Sequence, residues 1–324
     1  MQLRRGLLGP TCGLSLAALI LTGCGASSDT AAADAPLAVS ASFYPLQFVA
    51  QEVGGDRVDV SSLTPPGAEP HDLELSPSQV NSLRSADLVV YLSGFQPAVD
   101  EAVATADPAH VVNAADVTTL VPFSEEHVEE VDEHGHEEHA GEEHHHADDG
   151  HDHGDLDPHF WLDPTLLAPV AEAVAAQLGE LDPDGAQEFQ ANAEALTARL
   201  GELDSQYEQG LASCERDVFV TTHTAFGYLA DKYGLEEVGI SGIDPDAEPS
   251  PARLVEIRDV VEREGVTTIF FEALVSPKVA QTLAADLGIE SAVLDPLEGV
   301  SGSQTYFSVA EDNLQALQTA LACA

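Results

Sequence analysis

Near the middle of the chain, Phe189, Ala193, Leu196, Leu200, Leu203 and Tyr207 follow one another at three- and four-residue steps. Apolar residues at that spacing share one face of a helix, so the pattern predicts a single long helix over residues 183–211, with Asp182-Pro183 as its start signal. What flanks it is of another kind. Ahead of it, short β-type runs at 37–42, 58–63 and 88–92 alternate with helical patterns at 46–53 and 77–85. An Ala-rich helical stretch follows at 164–178. Behind it, strands at 218–222, 237–240, 267–271 and 292–294 alternate with helices at 225–233, 251–264, 277–287 and 306–321. This βαβ order builds mostly parallel sheets. The expectation is an α/β fold of two lobes, 37–182 and 212–324, joined by the helix. Strand C-termini of such lobes open toward a cleft, where ligands bind.

One segment breaks the alternation. Residues 122–157 are almost wholly His, Glu, Asp, Gly and Ala, too polar to bury a core, and read as a long disordered loop. The loop holds His127, His134, His136, His139, His144, His145, His146, His151 and His153 among carboxylates. Flexible clusters of this type bind zinc or other divalent ions with modest affinity, because ordering the chain costs entropy.

The charge balance excludes one large class of function. With 57 acidic and 11 basic residues the formal charge is -46, so the chain is repelled by DNA, RNA and anionic membranes, while cations gather near it. The N-terminus reads as a targeting segment: Arg4 and Arg5 precede an apolar stretch at 7–21, too short and punctuated for a stable membrane span. Leu21-Thr22-Gly23-Cys24 resembles the lipobox of bacterial lipoproteins. It implies removal of residues 1–23 and lipidation of Cys24, with an ordinary secreted protein as the alternative; residues 26–36, rich in Ala, Ser and Asp without apolar periodicity, read as a flexible tether. Cys12 leaves with the signal, so Cys214 and Cys323 remain as the candidate disulfide of an exported protein. The loop it closes is long, for which the chain-entropy model gives roughly 4–5 kcal/mol.

Outside the polar loop only His71, His110, His159 and His223 remain. His71 follows the second predicted strand, His159 lies in Asp157-Pro158-His159-Phe160-Trp161, and His223 directly follows the strand at 218–222. Asp295 ends the last strand in Leu294-Asp295-Pro296. Three imidazoles and one carboxylate at strand ends and in turns suit a tetrahedral Zn²⁺ site between the lobes. Each also has a plainer reading. A turn histidine often caps or packs, the role kept for His110, and a carboxylate before Pro often caps the next turn.

These segments are similar to the ZnuA-type substrate-binding proteins of metal ABC importers, a group that includes manganese binders. The resemblance runs in order through Ser42-Phe43-Tyr44-Pro45-Leu46, Val53-Gly54-Gly55-Asp56, Pro70-His71-Asp72, Ala86-Asp87-Leu88, Asp157-Pro158-His159-Phe160-Trp161-Leu162-Asp163-Pro164, His223-Thr224-Ala225-Phe226-Gly227-Tyr228, Glu248-Pro249-Ser250 and Asp295-Pro296-Leu297. It implies two Rossmann-like lobes on a rigid linker helix, with His71, His159, His223 and Asp295 as metal ligands in the interdomain cleft. Glu248 matches a position near that cleft, as support for a ligand or as a domain contact. The resemblance further implies an extracytoplasmic monomer, anchored by its lipid, that hands Zn²⁺ to an ABC permease and its ATPase. A glutamate typically replaces the third histidine in manganese binders; His223 stands there in this chain, and imidazole favours zinc.

Other functional classes are weighed against this one. A zinc hydrolase needs an open water position, which four protein ligands close, and His136-Glu137-Glu138-His139 has its second histidine one residue too early for the H-E-x-x-H pattern. A surface zinc buffer or adhesin, with the polar loop as its working part, is the remaining alternative beside a manganese importer component.

Overall fold

In the computed structural model, residues 35–123 and 156–324 are described. The targeting segment, Cys24 and the nine loop histidines lie outside them. The first lobe runs β1 (Leu37–Ala41), α1 (Tyr44–Gly54), β2 (Val58–Ser62), α2 (Pro77–Ser85), β3 (Leu88–Tyr91), α3 (Pro97–Ala106), β4 (Val111–Asn113) and α4 (Ala114–Val117). Helices α5 (Leu167–Leu181) and α6 (Ala186–Leu211) follow. The second lobe runs β5 (Val218–Thr221), α7 (Gly227–Tyr233), β6 (Glu236–Gly239), α8 (Pro251–Glu264), β7 (Thr268–Phe271), α9 (Lys278–Leu287), β8 (Glu290–Val293) and α10 (Tyr306–Leu321).

Each lobe carries a four-stranded, all-parallel sheet, ordered β2-β1-β3-β4 in the first and β6-β5-β7-β8 in the second. The first lobe has two elements beyond those the sequence pattern predicts, α3 and β4. Val111–Asn113 is too short to show a period in sequence, and it becomes a strand because β3 pairs with it. Burial follows topology. Central β5 is buried at every residue, as a strand covered on both faces must be, whereas edge strand β2 alternates, with Asp59 and Ser61 outward.

Local chemistry sets the helix ends. Ser76 and Gln79 form a reciprocal capping box at the start of α2, Thr305 and Ser308 do the same for α10, and Ser250 accepts the Arg253 N–H at the start of α8. The long helix starts three residues later than its sequence signal. Asp182 instead closes a turn ahead of α6, accepting from the Gly185 N–H and from the Arg57 guanidinium.

The stripe on α6 is buried from Phe189 to Leu211, against a core that includes Leu46 and Val49 of α1, Phe219 of β5, Phe270 of β7 and Leu317 of α10. One apolar cluster thus runs through both lobes. A fully buried Leu or Phe contributes about 1.5–3 kcal/mol, so this shared core, more than the helix alone, joins them. Cys214 and Cys323 form a disulfide that ties the end of α6 to the end of α10 across 109 residues. Among the described residues, no helix is long and apolar enough to cross a membrane.

Candidate metal centre

The two sheets present their C-terminal ends to one interior point. The loop after β2 delivers His71, a tight turn at Phe160–Leu162 follows His159, and His223 lies two residues past the end of β5. These three imidazoles and the carboxylate of Glu298, beyond β8, place one ligand atom each within 4.8 Å of one another. His159 and His223 are fully buried; His71 and Glu298 are 3% and 2% exposed.

Orientation is set by a second ring of acids. His159 Nδ1 donates to Asp157 Oδ1 at 2.8 Å, and His223 Nδ1 donates to Glu272 Oε1 at 2.6 Å. A carboxylate on Nδ1 fixes the tautomer, leaving the Nε2 lone pair for a metal. His159 Nε2 and His71 Nε2 lie 3.3 and 3.1 Å from Glu298 Oε1. His223 Nε2 is buried with no hydrogen-bond partner among the described residues. Neighbouring ligands of a tetrahedral ion with bonds of about 2.0–2.1 Å stand about 3.3 Å apart, so the donor set fits Zn²⁺ in chemistry and the two separations at Glu298 fit it in spacing.

The electrostatics fit a positive charge at the centre. Burial would lower the His159 pKa, but Asp157 and Glu298 push it up to about 10. Burial would raise Glu298, yet His71, His159 and His223 hold it well below the usual carboxylate range. Glu69, at the mouth, is pushed up to about 7 by burial, with Glu298 adding to the effect, while its carboxylate accepts the His71 and Asp72 N–H groups. Glu237 of β6 braces the His223 loop by accepting from Thr221 Oγ1 and the Ala225 and Phe226 N–H groups.

Of the residues expected at the site, His71, His159 and His223 come together and Asp295 does not join them. Its short side chain turns back to cap its own turn, Oδ1 accepting the Leu297 N–H at 2.8 Å, and burial raises its pKa to about 6. The fourth member of the group is Glu298, three residues on, whose longer side chain reaches the imidazoles. Glu248 is exposed on the loop before α8, outside the group. His110 is also outside it; its carbonyl accepts the Val89 N–H. Sequence reasoning missed Glu298, Glu272 and the role of Asp157. Glu272 had a signal, because it is the first residue past β7 and faces the same cleft as His223.

Two parallel-sheet lobes around one connecting helix, with facing ligand-type residues at the strand ends, define the class of two-lobed solute-binding proteins. The chain belongs to the ZnuA family, described as zinc-uptake complex component A periplasmic, which matches residues 39–320. It is 37% identical over 315 residues to the high-affinity zinc uptake system protein ZnuA of Bacillus subtilis, covering 94% of each chain. It is 36% identical over 313 residues to the zinc-binding lipoprotein AdcA of Streptococcus pneumoniae, covering 94% of this chain but spanning 59% of AdcA. The fold is similar to the Zn(II)-bound ZnuA-like domain of Streptococcus pneumoniae AdcA, with a TM-score of 0.71, 33% identity and coverage of 88% of this chain and 99% of that domain.

Proposed function

We propose that this chain captures Zn²⁺ outside the cytoplasm and delivers it to an ABC permease and its ATPase for uptake. The observation that carries the reading is the convergence of three imidazoles and one carboxylate in a buried site. In this reading His71, His159, His223 and Glu298 are the ligands, and zinc is cargo. Four protein ligands leave no position for a reactive water, so the site binds and does not hydrolyse. Three imidazoles favour zinc over the harder Mn²⁺. Cys24 carries the lipid anchor, the histidine-rich stretch gathers zinc weakly, and the protein works as a monomer.

The packing supports one release route. A core shared by both lobes resists hinge opening, so the ion leaves through movement of the ligand loops and small tilts of the second lobe. The test is a competitive titration with Zn²⁺ and Mn²⁺ on the soluble protein starting at Ala26, on its His223→Ala variant, and on a form lacking residues 125–155. One tight zinc site, lost with His223 and retained without the stretch, is the expected result. Tight binding only through the stretch points to a zinc buffer, and a clear preference for Mn²⁺ overturns the cargo.

A further inference from the structure

Trp161 is fully buried, and its indole leaves the first lobe to bond the second. Its Nε1–H donates to the carbonyl of Pro296 at 2.7 Å, two residues before Glu298. Its own carbonyl accepts the Tyr306 hydroxyl at 2.7 Å, from the first residue of α10. Trp161 also stands two residues after His159, with ring centroids 5.3 Å apart. One turn of the first lobe therefore carries both a ligand-type imidazole and the donor that grips the peptide leading to the carboxylate opposite it.

The gripped turn needs holding. Leu297, between Pro296 and Glu298, has φ of +62°, a left-handed conformation that an L side chain adopts at a cost. Strain of this kind persists where the surroundings over-determine it. Asn313 brackets Asp295 from both sides, accepting its N–H at 2.9 Å and donating to its carbonyl at 2.7 Å, and Asp295 closes the turn onto the Leu297 N–H. Every one of those bonds lies within the second lobe. The Trp161 bond reaches this turn from the segment that carries His159, and His159 Nε2 stands 3.3 Å from Glu298 Oε1.

The geometry points to Trp161 as the positioning residue for Glu298: its indole N–H sets the carboxylate against His159 and so completes the zinc cage. This rests on the proposed zinc-binding reading. The indole touches no ion; it acts through the Pro296 carbonyl and the Leu297 turn. The lobes are thereby coupled at the site itself.

A double-mutant cycle tests this on the full chain, with zinc affinity measured by competition against a chromophoric chelator for wild type, Trp161→Phe, Glu298→Gln and the double variant. Trp161→Phe keeps a ring and removes the donor, and is expected to weaken zinc about tenfold in the wild-type background. In the Glu298→Gln background the same change is expected to cost less than about twofold, because the group it positions is already disabled. An equal loss in both backgrounds, or no loss in the first, overturns the proposal. Tyr306→Phe serves as the second variant should Trp161→Phe fail to fold. It removes the hydroxyl on the Trp161 carbonyl while keeping the stack on Phe48, and is expected to give the same pattern at about threefold. Trp161 is the sole tryptophan, so its indole N–H resonance adds a direct readout: it should shift on zinc addition in wild type and stay still in Glu298→Gln. A wild type without tight zinc binding removes the functional reading itself, whereas tight binding with a flat cycle removes only the role of Trp161.

Discussion

The two lobes repeat one sheet order and use the same position differently. Two residues past the end of β1 stands Phe43; two residues past the end of β5, its counterpart in the second sheet, stands His223. Phe43 is fully buried and packs edge-on against Phe95 and Trp161, with ring centroids 4.8 Å away in each case. His223 is equally buried, but Glu272 orients it toward the metal centre. The place where parallel strands diverge is thus filled by packing in one lobe and by a ligand-type group in the other. Position in an α/β fold offers a site, and the side chain decides whether it becomes one.

The largest test of that contrast exchanges its terms. His223→Phe puts the first lobe's solution into the second and should weaken zinc by about a hundredfold or more, since about 10–16 kcal/mol of structural zinc binding is shared among four ligands. Phe43→Ala should act mainly on stability, lowering it by about 3–5 kcal/mol in a denaturant melt, with a smaller loss of zinc affinity than His223→Phe. Equal effects on zinc would dissolve the distinction between the two positions.

A second comparison lies within the last turn of the second lobe. Glu298→Gln should reduce zinc affinity by about a hundredfold, because it removes the charged oxygen nearest two imidazoles, whereas Asp295→Asn should cost less than about tenfold, as the loss of one capping acceptor. Competition titration of both variants gives the order directly. The reverse order would return Asp295 to the cage.

A further comparison is one of pH. His159, with its pKa pushed up to about 10, carries a proton at neutral pH that zinc must displace. Binding at pH 8 should therefore release about one proton per ion, and apparent affinity should fall about tenfold for each unit that pH drops below that. Calorimetry in buffers of different ionisation enthalpy counts the protons. A release of zero would show that His159 binds zinc from the neutral form.

Much of the fold is legible in the sequence. Apolar runs at β1, β3, β5 and β7 and the stripe on α6 announce themselves, because parallel strands and amphipathic helices carry strong periods. α3 and β4 did not, because Pro97–Ala106 is apolar on more than one side and Val111–Asn113 takes its form from its neighbour. The three histidines could be picked out by their place at strand ends and turns. Glu298 could not, for its selection depends on Leu297 entering the left-handed region and on Trp161 reaching across from the other lobe. Those are tertiary facts, which no spacing in the chain encodes.

The cluster that runs from α1 through α6 to β5 and α10 has a consequence for how the molecule comes apart. Each lobe keeps a smaller cluster on its outer side, but the inner one is common to both, so loosening one lobe exposes the apolar face of the other, and the described elements from β1 to α10 should melt in a single cooperative transition. An ion held at the centre then shields the whole of it at once, and protection against amide exchange should rise on both sheets together, far from any atom that touches the metal.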